Sequence, residues 1–177
     1  MKKIYAFCGL SGTGKSTIAD MISLLCNIPI VISVTTRPIR PGEENHKDYH
    51  FISDNEFNLI SDLIICRQDF HVAGNEIWRY GIFEDEITDK CIMVLTPSGI
   101  QELKDRGYDV TSILIDVDED TRIKRIYKRK DNQSEEEIKR RNRDDKKVFE
   151  NFIPDYIIRN DDNIADCINT TINLIMK

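Results

Sequence analysis

Eight consecutive residues, Gly9-Leu10-Ser11-Gly12-Thr13-Gly14-Lys15-Ser16, constrain this chain more than any other stretch. They satisfy G-x-x-x-x-G-K-S in full. A β-prone run, Lys3–Cys8, precedes them, and Ile18, Met21, Ile22 and Leu25 follow at helical spacing, so the order is strand, glycine loop, helix. In that order the glycines let backbone N–H groups turn inward around phosphate oxygens at a helix N-terminus, where the helix dipole also favours anions. Lys15 then reaches the β- and γ-phosphates, and the Ser16 hydroxyl is placed to ligate Mg2+. Gly9, Ser11, Gly12, Thr13, Gly14, Lys15, Ser16 and Thr17 are the expected binding residues for a nucleoside triphosphate.

The rest of the pattern fits a sheet built around that loop. Ile30–Thr35 reads as a second strand. Residues 36–88 are irregular and polar, an insertion with small strands of its own and a short helix near Asp54–Ile60. Cys91–Thr96 and Thr111–Asp116 read as buried strands, each followed by a helix, over about Ser98–Arg106 and Glu119–Lys130. A capping box at Ser134–Glu137 opens a charged helix to about Glu150. A short strand at Tyr156–Ile158 and a helix over about Asn163–Ile175 end the chain. Strands that alternate with helices and are apolar on both faces predict an α/β fold with a parallel sheet of about five strands, flanked by helices. The expectation is one domain over 1–177, with core segments 1–35 and 89–177, an inserted piece at 36–88 and a lid at about 128–140.

Composition narrows the setting. The 177 residues contain no apolar run near the roughly 18 residues of a membrane span. The basic N-terminus meets Gly9 too early for a signal peptide. Five scattered cysteines, without C-x2-C spacing, argue against a disulfide framework or a zinc site. A cytoplasmic protein without a membrane partner is expected. The net charge of −6 conceals a basic stretch, Arg122–Lys147, with twelve basic and six acidic residues. Such a stretch is a solvated helix face, a nucleic-acid footprint or a polyphosphate clamp.

A second motif decides among these. Ser33-Val34-Thr35-Thr36-Arg37-Pro38-Ile39-Arg40-Pro41-Gly42-Glu43, followed by Asp48-Tyr49-His50-Phe51, places two arginines three apart on a proline-stiffened segment with a tyrosine nearby. Arginine forks grip phosphate bidentately, and a tyrosine hydroxyl adds a hydrogen bond. At these residues the chain resembles the guanylate kinase family, and the resemblance continues through Tyr80-Gly81, the basic helix and Asn160-Asp161-Asp162. It implies a P-loop kinase fold and transfer of the γ-phosphoryl of ATP to GMP or dGMP with Mg2+. It further implies that Ser33 touches guanine and that Arg37, Arg40, Tyr49 and Tyr80 clamp the acceptor phosphate. Arg125, Arg129 and Arg141 resemble the family's lid and transfer arginines, and Asn160 a residue near the adenine of ATP. The basic stretch then closes over the transferring group, the partner is a small nucleotide, and no nucleic acid is expected.

The base-reading positions depart from the family. Where it has a Glu ahead of the Gly-Asn turn, this chain has Gln68 or Cys66, depending on the anchor chosen. Ile82 stands where the family has Ser or Thr, and Val94 and Thr96 replace two Asp. Gln68 is the expected base contact, with Asp69 in reach if the strand register is irregular. Without an acid at Thr96, metal binding leans on Ser16, with Asp116 and Asp118 better read as a strand end and a helix cap. Three other readings share these motifs: a phosphosugar kinase resembling ribose bisphosphate phosphokinase, a kinase for another or modified deoxynucleotide, and a non-catalytic binding module.

Overall fold

A computed structural model describes residues 2–72, 76–128, 135–161 and 163–176, without the side chains of residues 137 and 141. The central sheet has the order β6-β1-β7-β8, all parallel, formed by β6 (Lys90–Val94), β1 (Lys3–Cys8), β7 (Asp109–Asp116) and β8 (Tyr156–Arg159). Alternate residues of β1 explain its central place. Ile4, Ala6 and Cys8 enter one apolar cluster, Tyr5 and Phe7 the other, so both faces of the strand are buried. Helices α1 (Lys15–Cys26) and α6 (Ile164–Ile175) cover the second face through Ile18, Ala19, Ile22, Ile168 and Ile175. Helix α3 (Pro97–Asp105) covers the first through Ile100 and Leu103.

The sheet has four paired strands rather than about five. Where the sequence predicts a strand over Ile30–Thr35, only Ile30 bridges β6, at Ile92. Pro29 lacks an N–H for the ladder and offers only its carbonyl, to Ile92 N at 2.8 Å. The chain then departs, and Val34–Thr35 becomes strand β2 of a second sheet.

That second sheet has the order β3-β2-β5-β4, with β3 (His50–Phe51), β4 (Ile64–His71) and β5 (Ile77–Phe83). It is more regular than the expected small strands, because β4 and β5 form a long antiparallel pair. Helix α2 (Asp54–Leu59) packs Phe57 against Val34 and Ile64. Its N-terminus is a full capping box between Ser53 and Glu56. The β4–β5 register breaks between Ile65 and Gln68, where Cys66 adopts φ 52°, the mark of a bulge.

Helices α4 (Glu119–Lys128) and α5 (Glu135–Phe149) carry the basic stretch. The capping box expected at Ser134, and residues 129–134 of the expected lid, lie outside the described residues. Burial pushes the Cys8 and Cys66 thiols up to about 12, so both behave as small hydrophobes.

Candidate active site

The glycine loop runs from the C-terminal end of β1 into α1, as its motif requires. Gly14 caps the helix with φ 86°, and Gly12 has φ 89°. A Cβ on Gly12 would lie 2.8 Å from the Arg122 carbonyl oxygen, and one on Gly14 2.8 Å from Asn160 Nδ2. Backbone conformation and space both demand glycine at these two positions. Buried side chains hold the loop from behind. Asn160 Nδ2 donates to the Thr13 carbonyl at 2.8 Å, and Arg122 Nη1 to the Ser11 carbonyl at 3.0 Å. Thr13 Oγ1 donates to the Leu10 carbonyl at 3.0 Å. Thr13 and Arg122 are 1% exposed and Asn160 is 3% exposed, so the Leu10, Ser11 and Thr13 carbonyls are satisfied inside the protein. Lys15 Nζ reaches the Leu10 carbonyl at 3.4 Å, and Ser16 and Thr17 lie exposed in the first turn of α1. A cradle that Cβ atoms would fill, with a lysine and a hydroxyl at its rim, fits a triphosphate and a divalent cation.

An anion already uses one of its donors. Asp145 Oδ2, from α5, accepts the Ser11 N–H at 2.9 Å. Further contacts fasten α5 there: Lys146 Nζ lies 2.7 Å from Glu119 Oε1, and Asn142 meets both Glu119 and Arg122. Hydrogen bonds from Lys146 and Asn142 hold the Glu119 carboxyl below the usual range.

The sequence-expected residues are distributed unevenly around this loop. Asn160, the residue that resembles one near the adenine, lies buried under the loop. Arg125 Nη2 donates to the carbonyls of Asn160 and Asp161 at 2.9 and 3.3 Å, behind the cradle. Arg129 lies outside the described residues, and Arg141 is in α5 with its side chain outside them. Arg122, which the sequence reading missed, touches the loop directly. Its signal was positional: with Ile126, four residues on, it forms the buried face of α4.

The four clamp residues do come together. The Arg37 guanidinium, 3% exposed, pairs bidentately with Glu43 at 2.8 and 3.0 Å and also donates to the Pro38 carbonyl. It lies 5.3 Å from the centre of the Tyr49 ring and 5.4 Å from that of Phe51. Tyr49 meets Tyr80 edge-on, with centroids 6.0 Å apart. The Arg40 N–H donates to the same Glu43 carboxylate at 2.8 Å. Burial alone would raise the Glu43 pKa, but hydrogen bonds from the Arg37 side chain and the Arg40 backbone outweigh it and hold the carboxyl below its usual range. Burial pushes the Tyr49 phenol up to about 12, so it stays a neutral donor at working pH.

The bulge at Cys66 fixes which β4 residues lie opposite which of β5. It sets Gln68 opposite Tyr80, and Asp69 opposite Arg79. Asp69 is exposed, while Gln68 is half-buried and its Oε1 accepts from Ser98 Oγ at 2.7 Å and Thr96 Oγ1 at 3.2 Å. Cys66 is buried, with its Sγ 3.4 Å from the Gly99 carbonyl. Ser33 is half-buried just before β2, its carbonyl accepting from His50 N. Neither distant acid is available for metal. Asp116 binds Arg159 Nη1 at 2.5 Å, and Asp118 accepts the Thr121 N–H as a helix cap. Among the described residues no group of three or more His, Cys, Asp or Glu is disposed to hold a metal ion.

A family model for guanylate kinase matches residues 1–175. The chain belongs to the guanylate kinase family. That family model spans nearly the whole chain. The guanylate kinase of Malacoplasma penetrans is 31% identical over 179 residues, covering 93% of this chain and 89% of that one. The match to the guanylate kinase of Rhodopirellula baltica is 36% identical over 90 residues and spans 48% of this chain and 41% of that relative. The crystal structure of guanylate kinase from Anaplasma phagocytophilum superposes with a TM-score of 0.68 at 25% identity, covering 99% of this chain and 85% of that one. The phosphosugar and binding-module readings are not favoured by these similarities.

Two outcomes test the geometry. Glu43→Gln leaves the Arg37 charge buried with half its partner, and should lower stability by about 3 kcal/mol in urea unfolding at neutral pH. Because the folded Glu43 pKa is depressed, its contribution is complete above the ordinary carboxylate pKa of about 4.3 and fades as pH falls through the depressed value. The variant's deficit should shrink in step. Asp145→Ala removes the carboxylate that competes for the Ser11 N–H, and calorimetry should show ATP binding about fivefold tighter.

Proposed function

We infer that the chain phosphorylates GMP or dGMP, taking the γ-phosphoryl group of ATP with Mg2+. The observation that carries this reading is that one molecule holds two phosphate-suited sites: the glycine cradle behind Lys15 and the arginine–tyrosine cluster around Glu43. In our assignment Lys15 balances charge on the transferring group, and Gly9, Ser11–Gly14 and Thr17 line the triphosphate site with it. The Ser16 hydroxyl is the protein ligand for Mg2+, which when bound neutralises charge shared by the β- and γ-oxygens. Arg40, Tyr49 and Tyr80 hold the acceptor phosphate, and Arg37 supplies positive charge behind them. Ser33 and Gln68 face the base. Arg125, Arg129 and Arg141 are assigned to closure, with the segment at about 128–140 as the lid and the second sheet as the acceptor-binding piece. Such a lid excludes water, which would otherwise compete as acceptor. Positioning and electrostatics suffice for this chemistry, and no side-chain nucleophile is required. A reducing, cytoplasmic setting suits five cysteines that are all free, and no helix among the described residues is long and apolar enough to cross a membrane.

The test is ADP release with ATP and Mg2+ across GMP, dGMP, AMP, CMP, UMP, dTMP and ribose 1,5-bisphosphate. Turnover should be highest with GMP or dGMP, and Lys15→Ala should lower kcat by about a thousandfold. Turnover confined to ribose 1,5-bisphosphate, or near-normal turnover by Lys15→Ala, contradicts the reading.

A further inference from the structure

Gln68, Thr96 and Ser98 form a hydrogen-bonded trio that joins the two sheets. Gln68 comes from β4 and, by register, shares a sheet face with Tyr80 of the acceptor clamp. Thr96 follows the C-terminal end of β6, the strand paired with β1, and Leu95 N donates to the Phe7 carbonyl just before the glycine loop begins. The trio therefore occupies the carboxyl edge of the parallel sheet, beside the phosphate loop and facing the clamp. In open α/β sheets that edge is where ligands bind. Gln68 and Thr96 are half-buried and Ser98 is exposed, so the group lines an accessible surface.

The chemistry of the trio is neutral and directional. Thr96 Oγ1 accepts the Gly99 N–H at 3.3 Å as the cap of α3, which leaves its proton to give. Ser98 Oγ and Thr96 Oγ1 lie 2.7 and 3.2 Å from Gln68 Oε1 and 3.0 Å from each other, so the two hydroxyls and the amide oxygen form one closed set. The acceptor half of the amide is thus consumed inside the protein. Among the described residues no hydrogen bond occupies Nε2 of Gln68, the donor half. The one carboxylate next to it in sequence, Asp69, is exposed and paired in register with Arg79.

We propose that Gln68, held by Ser98 and Thr96, reads the acceptor purine through a neutral amide donor, so that 6-oxopurine monophosphates are accepted with little regard for the 2-amino group. The inference rests on the functional reading above. Guanine and hypoxanthine both offer O6 and N7 as acceptors, and only guanine adds an N2 amino donor. Reading that amino group requires an acceptor, and here the amide's acceptor is already satisfied. A site built to accept from a base rejects an analogue that leaves its acceptor unpaired, whereas the Gln68 carbonyl is already paired within the protein and is not orphaned by hypoxanthine.

Steady-state kcat/KM for GMP and IMP, with AMP as control, tests it in the wild type, Gln68→Glu and Ser98→Ala. The wild type should favour GMP over IMP by no more than about tenfold. Gln68→Glu adds a charged acceptor and should raise that preference by about tenfold or more. Ser98→Ala, which releases the amide carbonyl, should raise it in the same direction by a smaller factor, with unchanged thermal unfolding. A wild-type preference for GMP of about a hundredfold that Gln68→Glu leaves unmoved overturns the proposal while leaving the kinase reading intact. Protein that binds ATP yet turns over neither GMP nor IMP overturns both.

Discussion

Asn160 sits where β8 ends, and its side chain crosses under the glycine loop to donate to the Thr13 carbonyl. The backbone of the same residue donates to the Asp116 carbonyl at the end of β7. One buried residue thereby ties the last strand of the parallel sheet, its neighbour and the phosphate loop into a single unit. Without it the Thr13 carbonyl would be buried unpaired, at a cost of about 1–3 kcal/mol. Gly14 leaves room for this amide, and the strand order puts β1 between β6 and β7, so the loop emerges at the centre of the sheet edge. Much else follows from the loop being held this way. Its carbonyls are satisfied from behind, and the Ser11 N–H is offered to an anion, at present the Asp145 carboxylate.

The two phosphate-suited regions are built on opposite electrostatic plans. The cradle uses backbone dipoles and a lysine, with its nearest buried arginine, Arg122, spent on a carbonyl and an amide oxygen. The clamp uses a buried arginine whose charge is matched by Glu43 and flanked by the Tyr49 and Phe51 rings. Matching keeps Arg37 charged despite burial, which alone would lower its pKa; the Glu43 hydrogen bonds tip the balance upward. A charge fixed in this way needs no reorganisation when an anion arrives.

What was legible in the sequence was local. The glycine loop needs only its own residues and their flanks, and the strands of the core announce themselves by apolar runs. The clamp was legible because Arg37, Arg40 and Glu43 fall within one short turn. Features set by distant partners were not. The ladder to β6 ends after Val31, in a run that reads as one strand, and the chain leaves for a second sheet. Cys66 adopts φ 52° inside a β-prone run, and that bulge, invisible to alternation, sets Gln68 opposite Tyr80 while Cys66 stays buried at the Gly99 carbonyl. Resemblance alone drew attention to Asn160 and Arg125; that Asn160 holds the Thr13 carbonyl, and Arg125 the carbonyls of Asn160 and Asp161, depends on packing that no local pattern shows. Arg122 looks like any charged helix residue until β1 and α5 close around it.

Buried side chains preform the phosphate loop, and ATP affinity depends on them. Calorimetric titration of ATP into Asn160→Ala, with GMP titration and circular dichroism as controls for the fold, isolates that dependence. The account predicts ATP binding weakened by about tenfold or more, with GMP binding within about twofold of the unaltered protein. ATP bound as tightly by Asn160→Ala as by the unaltered protein would contradict it.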